Sequence, residues 1–278
     1  MDNQRDLEAF QAEVARVALR AIGPSGFALA GAGALIAHGV VTRPTEDLDL
    51  FSPTPEGPAH VSSMLQDALR AAGYEVTVLE AASQHGGEFV RLNVQGTGHR
   101  VQVDVARDWR QHQPVQLAVG PVLHLDDAVA SKVTAMIGRG LPRDYLDVFA
   151  AAQRFDRERL LLLAFQRDPG LRVLDVALAM RQLDRLPDEP FIGYGITAAQ
   201  LEQVRRGFDS WPRDAAHDLQ AKRAHDRAQL PLAQPADDPG IASAGRPTSA
   251  PPRATAVSPR PQSPPPVRRP ERRGGPAR

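Results

Sequence analysis

A chain of 278 residues, 42% of them apolar, can build one large domain or two ordinary ones. It has no Cys, which excludes disulfides, zinc–thiolate centres and thiol catalysis. The formal charge is zero but uneven: eight Arg and one Glu give Arg246–Arg278 a net +7, leaving −7 on the first 245 residues.

Residues 5–22 carry Leu7, Phe10, Val14, Val17 and Ala18 at helical spacing and stop at Gly23-Pro24. "FALAG" reads as a short apolar strand, "GALIAHG" as a helix of about two turns, and "DLDLF" as the next strand. A helix is predicted over 59–72. "YEVTVLEA", "EFVRLNVQG" and "HRVQVDVARDW" alternate with period two, as half-buried strands do. "PVQLAVGPVLHL" reads as one further strand or strand-like loop.

After Asp126 the pattern turns helical. "DDAVASKVTAMIGRG" has an Asp start and a Gly stop, and "PRDYLDVFAAAQRF" opens on a Pro suited to a first turn. Further helices are predicted over 156–167, 171–186, 197–209 and 212–228. Trp109 and Phe149 read as core residues. The Pro- and Arg-rich tail has too little apolar surface to offset its chain entropy, so disorder is expected. The expected organisation is a core over 1–122, a helical domain over 123–230 and a disordered tail over 231–278. "MDNQRDLEAF" has no apolar signal-peptide segment, and no run nears the roughly 18 residues of a spanning helix, so a cytoplasmic chain with no membrane contact is expected.

The segment "TRPTEDLDLF" carries the chemistry. In a strand, Leu48 and Leu50 face one way and Asp47 and Asp49 the other. Two carboxylates held that close repel each other, and a divalent cation removes the penalty. "VQVDVA" puts Asp104 on the polar side of another alternating strand. A neighbouring position in the sheet would bring it beside Asp47 and Asp49. Three such carboxylates can hold two metals roughly 3.5–4 Å apart, an arrangement suited to phosphoryl and nucleotidyl transfer. Just upstream, Gly31 and Gly33 lie between strand and helix, where backbone N–H groups can approach a phosphate. A dinucleotide-binding reading fails, because Gly-x-Gly-x-x-Gly does not occur.

Together these residues resemble the nucleotidyltransferase fold of the DNA polymerase β superfamily. "GAGALIAHGVVTRPTEDLDLF" is similar to the first motif of the AbiEii/AbiGii toxin-type nucleotidyltransferases through Gly31, Ala34, Leu35, Arg43, Thr45, Asp47, Asp49 and Phe51. "SKVTAMIGRGLPRDYLDVFAA" resembles their later pattern through Lys132, Arg139, Arg143, Asp144 and Asp147. Where the family commonly has Gly or Ser, this chain has Ala32, which offers a phosphate only its backbone N–H.

The resemblance implies an α+β fold: a mixed sheet with flanking helices, then a C-terminal helical bundle. It implies transfer of a nucleoside monophosphate from an NTP to an acceptor hydroxyl, such as a tRNA 3′ end, by the toxin of a toxin–antitoxin pair. Asp47, Asp49 and Asp104 would bind Mg²⁺ or Mn²⁺. Gly31, Ala32, Gly33, Arg43, Thr45 and Lys132 would bind the nucleotide, with Asp47, Asp49, Lys132 and Asp147 catalytic. Arg143 and Asp144 are expected to form a supporting ion pair. His38 and Gly39 read more simply as a helix-end cap. Implied partners are an NTP, a tRNA and a cognate antitoxin. The alternatives are a degenerate nucleotide- or RNA-binding protein and an antibiotic-modifying nucleotidyltransferase.

Overall fold

The computed structural model describes residues 2–55 and 57–214. The elements, in chain order, are α1 (Asp2–Ile22), β1 (Ala28–Leu29), α2 (Gly31–Ala37), β2 (Asp47–Ser52), α3 (Gly57–Ala71), β3 (Glu75–Glu80), β4 (Phe89–Gly96) and β5 (His99–Arg107). They continue with β6 (Val115–Leu117), β7 (Gly120–Val122), α4 (Leu125–Gly138), α5 (Pro142–Ala151), α6 (Arg157–Arg167), α7 (Val173–Arg185), α8 (Glu189–Ile192) and α9 (Ala198–Gly207).

The strands form one mixed sheet in the order β3-β4-β5-β2-β1-β7-β6. β2 runs parallel to β5 and antiparallel to β1, so the carboxylate strand lies in the interior of the sheet. Its burial alternates as the sequence dictates: Leu48, Leu50 and Ser52 are buried, while Asp47, Asp49 and Phe51 are only partly so. Val101, Val103 and Val105 of β5 bury the same side of the sheet. The apolar stripe of α1, through Phe10, Val14 and Ala18, joins this core, as do Val61, Leu65 and Leu69 of α3. With Leu50 fully buried, its removal opens a cavity that rigid strands on both sides cannot fill.

"PVQLAVGPVLHL" proves to be two strands. Ala118 and Val119 turn β6 back on β7, and Gly120, the first residue of β7, sits at φ 127°, a backbone that side chains rarely adopt. The predicted single strand missed a tight hairpin, and β7 then pairs in parallel with β1. α8 also went unpredicted, being only four residues long.

The helical half packs through α4, which contacts α2, α5, α6 and α7. Its core continues that of the sheet without a break, from Phe10 to Trp211. Trp109, read as core, is 49% exposed, because it lies in the irregular segment after β5 rather than on the strand's apolar face. Phe149 packs against the core, and a Cβ on Gly207 would lie only 2.6 Å from its ring. The tail over 231–278, and all of the helix expected over 212–228 beyond residue 214, lie outside the described residues. Among the described residues no helix is long and apolar enough to cross a membrane.

Leu50→Ala should lower the unfolding free energy by about 2–5 kcal/mol. Urea denaturation followed by circular dichroism would measure it, and a loss under about 1 kcal/mol would show that this site collapses around the missing side chain.

Candidate active site

β2 and β5 are in register at Asp49 and Asp104, so the third acid lies on the neighbouring strand beside the pair. The bend between β1 and α2 faces the same acids. Ala30 N–H donates to Asp49 O at 2.8 Å, which fixes the bend against the strand. Gly31 has φ 55°, and a Cβ there would lie 1.7 Å from Asp49 Oδ2. Glycine is therefore required twice, by the backbone angle and by the carboxylate packed on its Cα. α2 starts without a side-chain cap, leaving the first amides of Gly31, Ala32 and Gly33 to other acceptors. Gly33 matters for packing instead. A Cβ there would meet Leu29 Cδ1 at 3.0 Å, so its absence lets α2 lie close on β1.

The pair Asp47 and Asp49 is under electrostatic strain. Burial first, then repulsion from Asp47 and Asp104, pushes the Asp49 carboxyl up to about 7, against the attraction of Lys132 and Arg143. Thr45 Oγ1 lies 3.0 Å from Asp47 Oδ1 and 3.1 Å from Asp47 O, so the hydroxyl orients Asp47. Gln11 of α1 in turn holds Thr45 O at 2.8 Å.

Asp147 is fully buried and carries two cations. Arg43 donates to both its oxygens at 2.7 Å, and Lys132 Nζ lies 2.9 Å from Oδ2. Burial disfavours the Arg43 charge, but the fork onto Asp147 raises its pKa all the same. The Tyr194 ring lies 5.5 Å from the Arg43 guanidinium carbon. Lys132 thus stands between Asp147, which it touches, and Asp49, whose charge it favours.

Arg143 does not pair with Asp144. Asp144 accepts both nitrogens of Arg139 at 2.8 and 2.9 Å and caps the Leu141 amide at 3.2 Å, as its place in the first turn of α5 allows. Adjacent helical residues point about 100° apart, so Arg143 can turn the other way. It reaches within 4.0 Å of Asp47 Oδ2. Arg91 of β4 was not singled out from the sequence. It forks onto Asp104 at 2.9 and 2.8 Å and also reaches Glu80 at 2.7 Å. Only the β4–β5 register, which opposes Arg91 and Asp104, could have found it. His38 is the C-cap residue of α2 through its backbone N–H, which donates to Ala34 O at 3.0 Å, while its Nε2 lies 2.8 Å from Leu123 O beyond β7.

The donor set fits a hard divalent cation. Asp47 and Asp49 present oxygens from one strand face beside a cradle that a Cβ would fill, and their mutual repulsion lacks only a cation to relieve it. Asp104 fits less freely, since Arg91 engages both its oxygens and Gln102 adds a bond to Oδ1 at 3.2 Å. One lone pair of Oδ2 remains.

A strand pair of acids facing a glycine bend on a mixed sheet belongs to the nucleotidyltransferases. The chain is a member of the AbiEii family: residues 15–244 match the nucleotidyl transferase AbiEii toxin of type IV toxin–antitoxin systems. That family implies an NTP substrate and an antitoxin partner. Among solved structures, JHP933 from Helicobacter pylori is similar in fold. The match has a TM-score of 0.53 at 14% identity and covers 83% of this chain and 98% of that one. MenT4, a nucleotidyltransferase toxin from Mycobacterium tuberculosis, matches with a TM-score of 0.45 at 19% identity over 79% of this chain and 92% of its own. No curated protein matches the sequence.

Two outcomes follow from this geometry. Gly31→Ala should destabilise the protein through both the clash and the left-handed backbone. In an Asp49→Ala background the backbone cost of roughly 1–2 kcal/mol should remain, with only the milder 3.1 Å contact to the residue-49 Cβ added to it. Equal costs in the two backgrounds, measured by denaturation, would show that the carboxylate does not press on Gly31. The second outcome concerns pH. A carboxyl raised to about 7 binds its proton more tightly folded than unfolded, where 3.8 applies. Its contribution to stability is therefore lost as pH rises from about 4 to 7. Without divalent cations, Asp49→Asn should melt higher than wild type at pH 8, with the gap closing towards pH 4 in thermal scans.

Proposed function

We propose that the enzyme transfers a nucleoside monophosphate from an NTP to a hydroxyl at the 3′ end of a tRNA, in a reaction that depends on Mg²⁺ or Mn²⁺. The observation that carries this reading is the strained pair Asp47 and Asp49 facing the Gly31 bend, with Lys132 and Arg143 beside it.

Asp47 and Asp49 would hold the cation, with Asp104 contributing the oxygen lone pair that Arg91 leaves. When bound, the ion supplies charge neutralisation to the phosphates and to the departing pyrophosphate. The amides of Gly31, Ala32 and Gly33 bind phosphate oxygens at the start of α2. Ala32 contributes through its backbone N–H alone. Arg143, partly exposed, contacts the triphosphate. Lys132 does the same from the buried side, while its bond to Asp147 limits its reach. Thr45 acts through Asp47, by orienting it. Arg43 acts through Asp147, by holding that carboxylate in one place.

Asp147 is placed to position Lys132, and through Lys132 it bears on the charge of Asp49. The acceptor hydroxyl loses its proton as it attacks the α-phosphorus, and a carboxylate on this face receives it.

The protein should be incubated with total tRNA, Mg²⁺ and each α-labelled NTP in turn, beside Asp49→Ala. Label on tRNA should appear with at least one NTP, fall by roughly 100-fold or more in the variant, and vanish with chelator. Nucleotide binding with no transfer to any RNA would instead identify a binding protein. Transfer to a small aminoglycoside-like acceptor but not to RNA would identify an antibiotic-modifying enzyme.

A further inference from the structure

Away from the carboxylate strand, three metal-ligating side chains meet where the segment after β5 passes the start of α4. One ring nitrogen of His112, one of His124 and one carboxylate oxygen of Asp126 all lie within 4.8 Å of one another. The two imidazoles stack, with centroids 4.4 Å apart and planes 29° apart. His112 Nδ1 is buried and has no hydrogen-bond partner. Asp127 Oδ2 lies 3.4 Å from it, but the Asp127 carboxylate is turned to the backbone, accepting from Gln111 N at 3.0 Å and His112 N at 2.8 Å.

A cation held against the stacked rings would give the buried, unpartnered His112 Nδ1 something to bind.

We propose that His112, His124 and Asp126 form a second metal site, for a transition-metal dication of which Zn²⁺ is the best fit. Two imidazoles and one carboxylate, with no thiolate, suit Zn²⁺ and disfavour Mg²⁺, which prefers oxygen donors. Bond lengths near 2.1 Å put tetrahedral ligand atoms about 3.4 Å apart, so atoms now within 4.8 Å of one another need close in by no more than about 1.4 Å on binding. His112, only partly buried, has room to turn. The Asp126 carboxylate is already aimed, since Arg159 holds Oδ2 at 2.6 Å and leaves Oδ1 available. His124 Nδ1 now accepts from Asp126 N at 3.2 Å, a long cap bond that coordination through that nitrogen replaces. Water completes the fourth position. The ion pins the segment around His112 to the first turn of α4, the helix that carries Lys132. Its role is structural and independent of the proposed transfer reaction.

The test uses the full-length chain with Asp47→Asn and Asp49→Asn, so that the acidic strand cannot capture the metal. Calorimetric titration with Zn²⁺ should give one site per chain, and Zn²⁺ should raise the melting temperature where Mg²⁺ does not. Bound Co²⁺ should show the visible absorption of a tetrahedral centre. Adding His112→Ala, or His112→Gln should the alanine variant not fold, should weaken Zn²⁺ binding at least tenfold and abolish the thermal shift. Absence of Zn²⁺ binding in the parent variant, or unchanged affinity after His112 is replaced, would overturn the site. Neither result bears on transfer to RNA, which the labelling experiment decides separately.

Discussion

The structure is organised around one electrostatic difficulty: Asp47 and Asp49 share a strand face, and Asp49 is buried enough to hold its proton to about 7. A fold optimised for stability alone would not place acids there. The surrounding residues limit the damage without removing it. Thr45 gives Asp47 one hydrogen bond, Arg143 approaches to 4.0 Å, and Lys132 lends its charge across the cleft. Gly31 gives up its side chain so that the Asp49 carboxylate has somewhere to lie. On the proposed reading, the residual strain would give a bound cation its affinity.

A second constraint couples the strands to the helices. Asp147 of α5 is fully buried between Arg43, from the segment before β2, and Lys132, from α4. Removing one partner from such a cluster leaves a charge in a dry environment, which is far more costly than the pairing itself is beneficial. The boundary expected near residue 122 separates the part that carries the strands from the helices that follow, and the partners of Asp147 come from both sides of it. Tyr194, after α8, adds its ring to the far side of the Arg43 fork. Four segments distant in sequence are thereby held to one geometry at the edge of the acidic strand.

What could be read from the sequence was what short periods encode. The alternation in β2 and β5 gave the faces of Leu48, Leu50, Asp47, Asp49 and Asp104, and the pairing Asp49↔Asp104 agrees with it. The glycines at 31 and 33 were legible as a bend, but their separate roles were not, since those depend on Asp49 and Leu29. The long-range partners were invisible. Arg91 meets Asp104 only through the β4–β5 register, and Arg139 rather than Arg143 takes Asp144 because of where α4 ends. The hairpin β6–β7 was too short for periodicity to resolve. His112, His124 and Asp126 carried no motif, and only folding brings them together.

The formal charges of the site place a final constraint on the proposed chemistry. Asp47, Asp49, Asp104 and Asp147 supply four negative charges; Arg43, Arg91, Lys132 and Arg143 supply four positive ones, so the cleft is close to neutral when every group is ionised. Two of the cations, Arg43 and Arg91, are committed to forked pairs and cannot be released cheaply. A neutral cleft with tied cations has little attraction for a bare triphosphate, which is strongly negative. On the proposed reading, Asp47 and Asp49 would hold a cation that offsets their repulsion and supplies positive charge for the phosphates, beside the glycine-bend amides. Arg43 and Arg91 fix Asp147 and Asp104, so on that reading specificity for phosphate would rest with backbone, cation, Lys132 and Arg143.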